Sequence, residues 1–452
     1  MVRQFAIAST RFLGVGTSKD RLNLIDYSKN QLFTLHFVSI VFILQGMDRH
    51  IQARIDEALR IFPCVALLGV RQCGKTTLIN NLPKNWKKYD MEKTSDRELV
   101  LRDPDLFFRM SPQQVAIDEA QMVPELFPAL RVAIDANRNS SGRFIITGSS
   151  STDLSRKISE TLAGRISIME LSTFSISEAY NHSVSDLFLV PFTDCKSLVQ
   201  NQNPARFTLQ QVLTYWEKGG YPEPWIKKSE RFHELWMSNY FENYLNRDLV
   251  SLFPKLNRDK YRLFLQSLSQ LSGTIINYSN LARSLGISAP TAREYLEIAH
   301  GTFVWRSLPA YEKNATKRIV KHPKGHFRDS GLLHYLWHIG EQSDLLSHPL
   351  MGRSWESMII ENIIQGFRQS GLSFDPYYYR TGAGAEIDLI IESAKGILPI
   401  EIKFTQKING RDLRALKDFI KERNCPIGWV VHNGERIEWL DEKVLGIPAT
   451  CL

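Results

Sequence analysis

The chain has 452 residues, 43% hydrophobic and 23% charged, with a net charge of +8 and an isoelectric point near 9.1. That length excludes a single ordinary core and sets an expectation of roughly two to four domains. The composition is that of an ordinary globular protein, and its basic excess permits a polyanionic partner without demanding one. Cys64, Cys73, Cys195, Cys425 and Cys451 are scattered with no CxxC pair. This excludes a zinc-site spacing and a disulfide framework, and a reducing cytoplasm is the simplest setting.

Residues 1–46 read as a poorly specified extension, with Met47 as a second candidate start. The apolar run 32–44 is 13 residues long and contains His36. A membrane span needs about 20 residues, so no membrane partner is expected. The chain then divides into a region at 47–195 that carries a glycine loop, a linker or lid at 196–230, a helical region at 231–345 and a carboxy-terminal region at 346–452. Within the linker, "YWEKGGYPEPW" (215–225) combines glycine, proline and aromatic residues, which favour turns over regular elements.

"CVALLGV" (64–70) has the length and apolarity of a strand buried on both faces. It runs into Gly69-Val70-Arg71-Gln72-Cys73-Gly74-Lys75-Thr76 and on through Thr77 into a helix, the context that a G-x-x-x-x-G-K-[ST] phosphate loop requires. Gly69 and Gly74 let backbone N–H groups turn toward phosphate oxygens, and the helix amino terminus adds partial positive charge. Lys75 is expected to reach the β- and γ-phosphates of ATP, and Thr76 to ligate Mg2+. "QVAIDEAQ" (114–121) is a strand ending in Asp118, placed to hold the magnesium through water, and Glu119, placed to polarise the attacking water. One or two strand–helix units fit between Lys75 and Asp118, and "KKYDME" with "DRELVLRDPDLFF" supplies one. "GRFIITGSSS" (142–151) ends in polar residues, with Ser149 set to meet the γ-phosphate or the water. All these clusters fall at strand carboxyl ends, where parallel sheets bind ligands. Arg165, between a helix and the next strand in "SETLAGRISIMEL", is either a surface arginine at a turn or a group that stabilises transition-state charge, on its own subunit or a neighbour's.

"FPCVALLGVRQCGKTTLI", "VAIDEAQMVPELFPALR", "FIITGSSS", "LAGRISIMEL" and "FSISE" together resemble the prokaryotic AAA-type predicted ATPases that carry a domain of unknown function after the ATPase. The resemblance runs from about Met47 to the carboxyl end. It implies an α/β chain with a P-loop NTPase (AAA+-like) parallel sheet, ATP with magnesium, and a nuclease-like carboxy-terminal fold.

In the middle, "NYSNLARSLGISAPTAREYLEIA" (277–299) has helix-turn-helix spacing, with a turn at Gly286 and Ser288 as cap. "GTFVWRSLPAY" follows as a strand, making the unit a winged helix. Its second helix would offer Thr291, Arg293 and Glu294 to a DNA major groove. Lys313, Lys317, Arg318, Lys321 and Lys324 would track phosphates. The alternative is a unit that docks domains or a partner protein.

From 346 onward the order helix, three strands, helix, strand resembles the core of PD-(D/E)XK nucleases, a restriction-endonuclease-like α/β fold. Strand alternation puts Glu401 and Lys403 on one face, with Ile400, Ile402 and Phe404 on the other. Asp388, separated from Glu401 by twelve residues in "AEIDLIIESAKGILPIEIKFT", converges from the neighbouring strand, and Glu356 lies where that superfamily often adds an acid. Such carboxylates would hold a second Mg2+ or Mn2+, and Lys403 would stabilise developing charge. The expected function is therefore a magnesium-dependent ATPase, able to assemble as a homo-oligomer and working on or with DNA. The competing reading is a nucleotide-dependent switch for protein partners with an inert nuclease-like domain.

Overall fold

Five consecutive apolar residues, Cys64–Leu68 (β1), have no polar face to offer water, and all five are buried. The computed structural model describes residues 49–111, 113–149, 160–189, 199, 205–312, 322–382 and 384–452. The extension at 1–46 with its apolar run, Met47, Cys195, Lys313, Lys317, Arg318 and Lys321 lie outside them. Chain contacts divide the molecule between Met47 and Asp48, and every element below lies in the larger unit.

Around β1, strands Lys87–Asp90 (β2), Val115–Asp118 (β3), Phe144–Gly148 (β4) and Ile166–Glu170 (β5) run parallel in the order β2-β3-β4-β1-β5. Parallel neighbours need crossovers. Helices Lys75–Asn80, Thr94–Arg102, Pro104–Arg109 and Leu126–Asp135 lie between these strands. The expected unit between Lys75 and Asp118 is thus β2 with two short helices. Because β4 lies between β1 and β3, its carboxyl end falls between the phosphate loop and Asp118-Glu119.

The segment expected as a linker or lid is instead core. A capping box of Thr208 and Gln211 starts the helix Leu209–Lys218, which buries Val212, Tyr215 and Trp216. The Trp216 indole N–H donates to Ser354 Oγ at 3.0 Å. Gly219 has φ 72° and sits against Asp329, where a Cβ would come within 2.3 Å of Oδ1. Gly220 N–H donates to Asp329 Oδ2 at 2.8 Å. Glycines and aromatics here serve close approach and burial, the opposite of a solvated hinge.

Helix Glu230–Asn243 passes through a π-helical turn, Tyr244–Asp248, into Leu249–Leu252. Helices Tyr278–Leu285 and Ala289–Gly301 flank the turn at Gly286, and Ser288 Oγ accepts from Thr291 N–H at 3.1 Å as the spacing requires. Strands Thr274–Ile275 (β6), Trp305–Leu308 (β7) and Lys324–Phe327 (β8) make an antiparallel sheet in the order β6-β8-β7. The carboxy-terminal part is a mixed sheet of Phe374–Arg380 (β9), Glu386–Ser393 (β10), Gly396–Ile402 (β11), Gly428–His432 (β12), Glu438–Asp441 (β13) and Val444–Pro448 (β14), ordered β13-β14-β12-β11-β10-β9. Helices Met351–Gln369 and Arg414–Arg423 pack on it. Thr450 O accepts from Arg206 N–H at 2.8 Å and Phe207 N–H at 3.0 Å, tying the last residues to the start of the middle region.

Candidate nucleotide site and carboxylate cluster

The phosphate loop leaves β1 at Gly69, whose N–H donates to Gly148 O at 3.2 Å. A Cβ on Gly69 would lie 2.0 Å from Leu171 O, so only glycine permits this approach of the loop to the chain beyond β5. Gln72 and Glu119 both have left-handed backbone, at φ 61° and 52°. Non-glycine residues held there cost roughly 1–3 kcal/mol each and cluster at functional sites. The Lys75 ammonium, 4% exposed, donates to the carbonyls of Gly69 at 3.0 Å and Val70 at 3.1 Å.

Thr76 Oγ1 donates to Asp118 Oδ2 at 2.6 Å, joining the loop to the end of β3. Thr147 of β4 donates to Asp118 Oδ1, and its Oγ1 accepts from Glu119 N–H at 3.1 Å. Burial raises the Asp118 carboxyl against the hydroxyls of Thr147 and Thr76, which pull it down. Ser149 Oγ donates to Glu119 Oε2 at 3.1 Å, and Gln121 reaches the same carboxylate. Lys75, Thr76, Asp118, Glu119 and Ser149 therefore meet at one edge of the sheet, as their spacing anticipates. Cys73 is buried beneath the loop, while Gln72 is exposed.

Three contributors to this site, Arg49, Glu178 and Asp248, carry no spacing signal. Arg49 donates to Cys73 O at 2.6 Å and Ser172 O at 2.7 Å, and pairs with Glu178 at 2.9 Å. Glu178 is held by a capping box with Ser175, which gives "FSISE" its physical content. Arg71 pairs with Asp248 on the π-helical turn and lies 3.4 Å from Glu92. Thr147 does carry a signal, as the one hydroxyl in an otherwise apolar strand.

Arg165 stands elsewhere. The register Cys64↔Ile166 and Leu68↔Glu170 places it at the amino end of β5. The loop leaves the carboxyl end, roughly 16 Å away at about 3.3 Å per strand residue. Arg165 instead grips Asp135 through Nε at 2.7 Å and Nη2 at 2.9 Å. The own-subunit role is corrected: β5 runs parallel to β1 and carries Arg165 away from its own loop.

In the carboxy-terminal sheet, Leu389 pairs with Ile400, which sets Asp388 beside Glu401. Lys403 Nζ lies 2.5 Å from Glu401 Oε1, and Ile402 N–H donates to Asp388 Oδ2 at 2.8 Å. The acids expected to converge do so, joined by Lys324 and Glu386. Lys324 of β8 lies 2.6 Å from Glu356 Oε1, 2.8 Å from Glu386 Oε1 and 3.6 Å from Asp388 Oδ1. Expected on a phosphate-tracking surface, Lys324 is buried instead, because it faces these carboxylates. Burial pulls its ammonium down, but Glu356, Asp388 and Glu386 outweigh it and hold it above the usual lysine range. Burial and the Asp388 charge push Glu356 and Glu401 up to about 8. Among the described residues no group of three or more His, Cys, Asp or Glu side chains is arranged to hold a metal ion. The set does not fit the expected second magnesium or manganese, since an ammonium already stands between its members.

On the helix pair, Arg293 and Glu294 are exposed and Thr291 is half-buried. Arg293 lies 3.4 Å from Glu297, with its guanidinium over the Tyr278 ring. Among the described residues no helix is long and apolar enough to cross a membrane.

Residues 62–180 match the family described as AAA domain, and with this loop and sheet they define an AAA-type P-loop ATPase domain. Residues 209–343 and 351–452 match two domains of unknown function, DUF8612 and DUF4143. Uncharacterized protein Rv2008c of Mycobacterium tuberculosis is 32% identical over 405 residues, covering 89% of this chain and 83% of that one. Uncharacterized protein Mb2031c of Mycobacterium bovis matches to the same extent, and the chain belongs to the family of these two proteins. Among solved structures, the Walker-type ATPase PABY2304 of Pyrococcus abyssi is similar with a TM-score of 0.40 and 16% identity, covering 64% of this chain and 96% of that one. RuvB of Thermotoga maritima is similar with a TM-score of 0.30 and 16% identity, covering 59% and 94%.

Proposed function

We propose that the chain is a magnesium-dependent ATPase whose nucleotide cycle acts on or with DNA through its middle and carboxy-terminal regions. The observation that carries the ATPase reading is the 2.6 Å hydrogen bond from Thr76 to Asp118, with Glu119 and Ser149 3.1 Å apart beside it. Thr76 and Asp118 are the residues that would hold magnesium, which supplies charge neutralisation at the phosphates when bound. Lys75 exchanges its two carbonyl partners for phosphate oxygens. Glu119 polarises the attacking water, and Ser149 keeps that carboxylate aimed. The DNA reading is supported by the net charge of +8 and by the exposed Arg283 and Arg293 on the helix pair.

The second reading, a nucleotide-dependent switch for protein partners with an inert nuclease-like domain, is favoured by the ammonium among its carboxylates. Steady-state hydrolysis by wild type and Lys75→Ala, with and without DNA at low salt, separates these. Lys75→Ala is expected to abolish turnover, and undiminished hydrolysis would remove the ATPase reading. DNA binding that changes with nucleotide supports the first reading. No binding at low salt, where phosphate contacts are strongest, supports the second.

A further inference from the structure

Alternation along β8 and its next residue places Lys324, His326 and Arg328 on one face. Each meets an acid of another part of the chain. Arg328 pairs with Glu170 at the end of β5, His326 lies 2.9 Å from Glu361, and Lys324 enters the group of Glu356, Glu386 and Asp388. Lys324 is 3% exposed, so its charge has no hydration and depends on these carboxylates. A buried ammonium is stable only when its donors are taken up in this way. Beside it Glu401, 8% exposed, has an Oε2 with no hydrogen-bond partner among the described residues. Asp388 and Glu401 are buried side by side, with Glu356 next to them and Glu386 at the partly exposed edge; Lys324, from a different sheet, meets Glu356, Glu386 and Asp388, and Lys403 meets Glu401.

We propose that Glu356, Glu386, Asp388 and Glu401 form a cation-binding site whose resident cation is the Lys324 ammonium, and that Lys324 and a divalent ion exclude one another there. Both are hard cations seeking carboxylate oxygens, and charge and space admit one at the centre. In the conformation described here the lysine holds that place. A metal enters only when β8 withdraws or the lysine is removed. The inference rests on the carboxylate geometry and is independent of the ATPase reading.

The test measures Mn2+ binding to the full chain without nucleotide, by the electron paramagnetic resonance signal of free Mn2+. Wild type is expected to show no Mn2+ site that depends on Asp388. Lys324→Met is expected to gain one Mn2+ per chain, lost again when Asp388→Asn is added. An Asp388-dependent site in wild type would overturn the proposal, as would a folded Lys324→Met protein that binds no Mn2+. If Lys324→Met does not fold, amine labelling read by mass spectrometry on wild type decides. Burial and ion pairing should make Lys324 label about tenfold or more slowly than the exposed Lys421, with Glu386→Gln speeding it. Equal labelling of the two lysines in wild type would overturn the proposal.

Discussion

Arg71 ties the phosphate loop to Asp248, a carboxylate that burial pushes up to about 6 although Arg71 pulls it down. Since Asp248 holds its proton more tightly folded than unfolded, its contribution to stability is complete below its ordinary value of 3.8 and is lost as the pH rises through 6. The loss is on the order of 2–3 kcal/mol, a tenfold change in proton affinity being worth about 1.4 kcal/mol. Asp248→Asn should therefore flatten the nucleotide-free denaturation midpoint between about pH 4 and 6.5. A wild-type pH profile in the variant would show that Asp248 is not the titrating group. At the other end of the site, Glu119→Gln should keep ATP bound while slowing turnover by about 100-fold or more, the usual scale of general-base catalysis. Asp118→Asn should bind nucleotide but lose the magnesium dependence of turnover. Equilibrium nucleotide binding measured beside single-turnover hydrolysis checks both. Turnover at wild-type rate in Glu119→Gln would transfer the base role to another group.

The loop's fit against the chain after β5 is a property of elements. Gly69→Ala would drive a Cβ into Leu171 O, and backbone on both sides leaves little room to relax. A loss of about 2–3 kcal/mol is expected, as for other overpacked sites, together with weakened nucleotide binding. Thermal unfolding with and without ATP would show it, and an unchanged midpoint would mean the loop yields. The elements legible in the sequence are those written in a contiguous stretch. Cys64–Leu68 is unbroken in its apolarity, the glycine loop has fixed spacing, and Ser288 caps its helix as read. The pairings that finish the site are not legible, because nothing local encodes a partner far along the chain. Arg49 meets Glu178 across 129 positions and Arg71 meets Asp248 across 177. Lys324 reads as a surface base because it ends a basic run, and a strand of four residues does not announce which way it faces. The Gly-Pro-aromatic stretch reads as a lid because the same residues that favour turns also permit close packing, as Gly219 does against Asp329.

For the molecule as a whole, Glu170 is the common anion of three regions. It pairs with Arg306 at 3.5 Å, with Arg328, and with Arg368 at 2.6 Å, while Glu361 takes Arg306 and Arg328 from the other side. These arginines hold the Glu170 carboxyl far below its ordinary range against the opposing effect of burial. Glu170→Gln leaves them one anion short and should cost about 3 kcal/mol, the scale for breaking a buried ion pair. Denaturant unfolding would measure it, and a cost below about 1 kcal/mol would class the contact with exposed pairs. Arg165 belongs to this scale too: at the amino end of β5 it stands away from its own loop, so the proposed catalytic role requires a neighbouring copy's site. Arg165→Ala alone should turn over poorly while binding nucleotide. Added Lys75→Ala protein should restore activity through mixed assemblies, and full activity of Arg165→Ala by itself would reduce the residue to its grip on Asp135.

The hydrogen bonds from Arg206 and Phe207 to Thr450, and from Trp216 to Ser354, have a bearing on inheritance. A recombination event that exchanged the last hundred or so residues would keep a backbone carbonyl opposite Arg206 and Phe207 but replace the Ser354 and Glu361 side chains that Trp216 and Arg306 meet. Such a swap is expected to cost stability unless Trp216 and Arg306 change with it, since a buried donor or charge would be left without its partner.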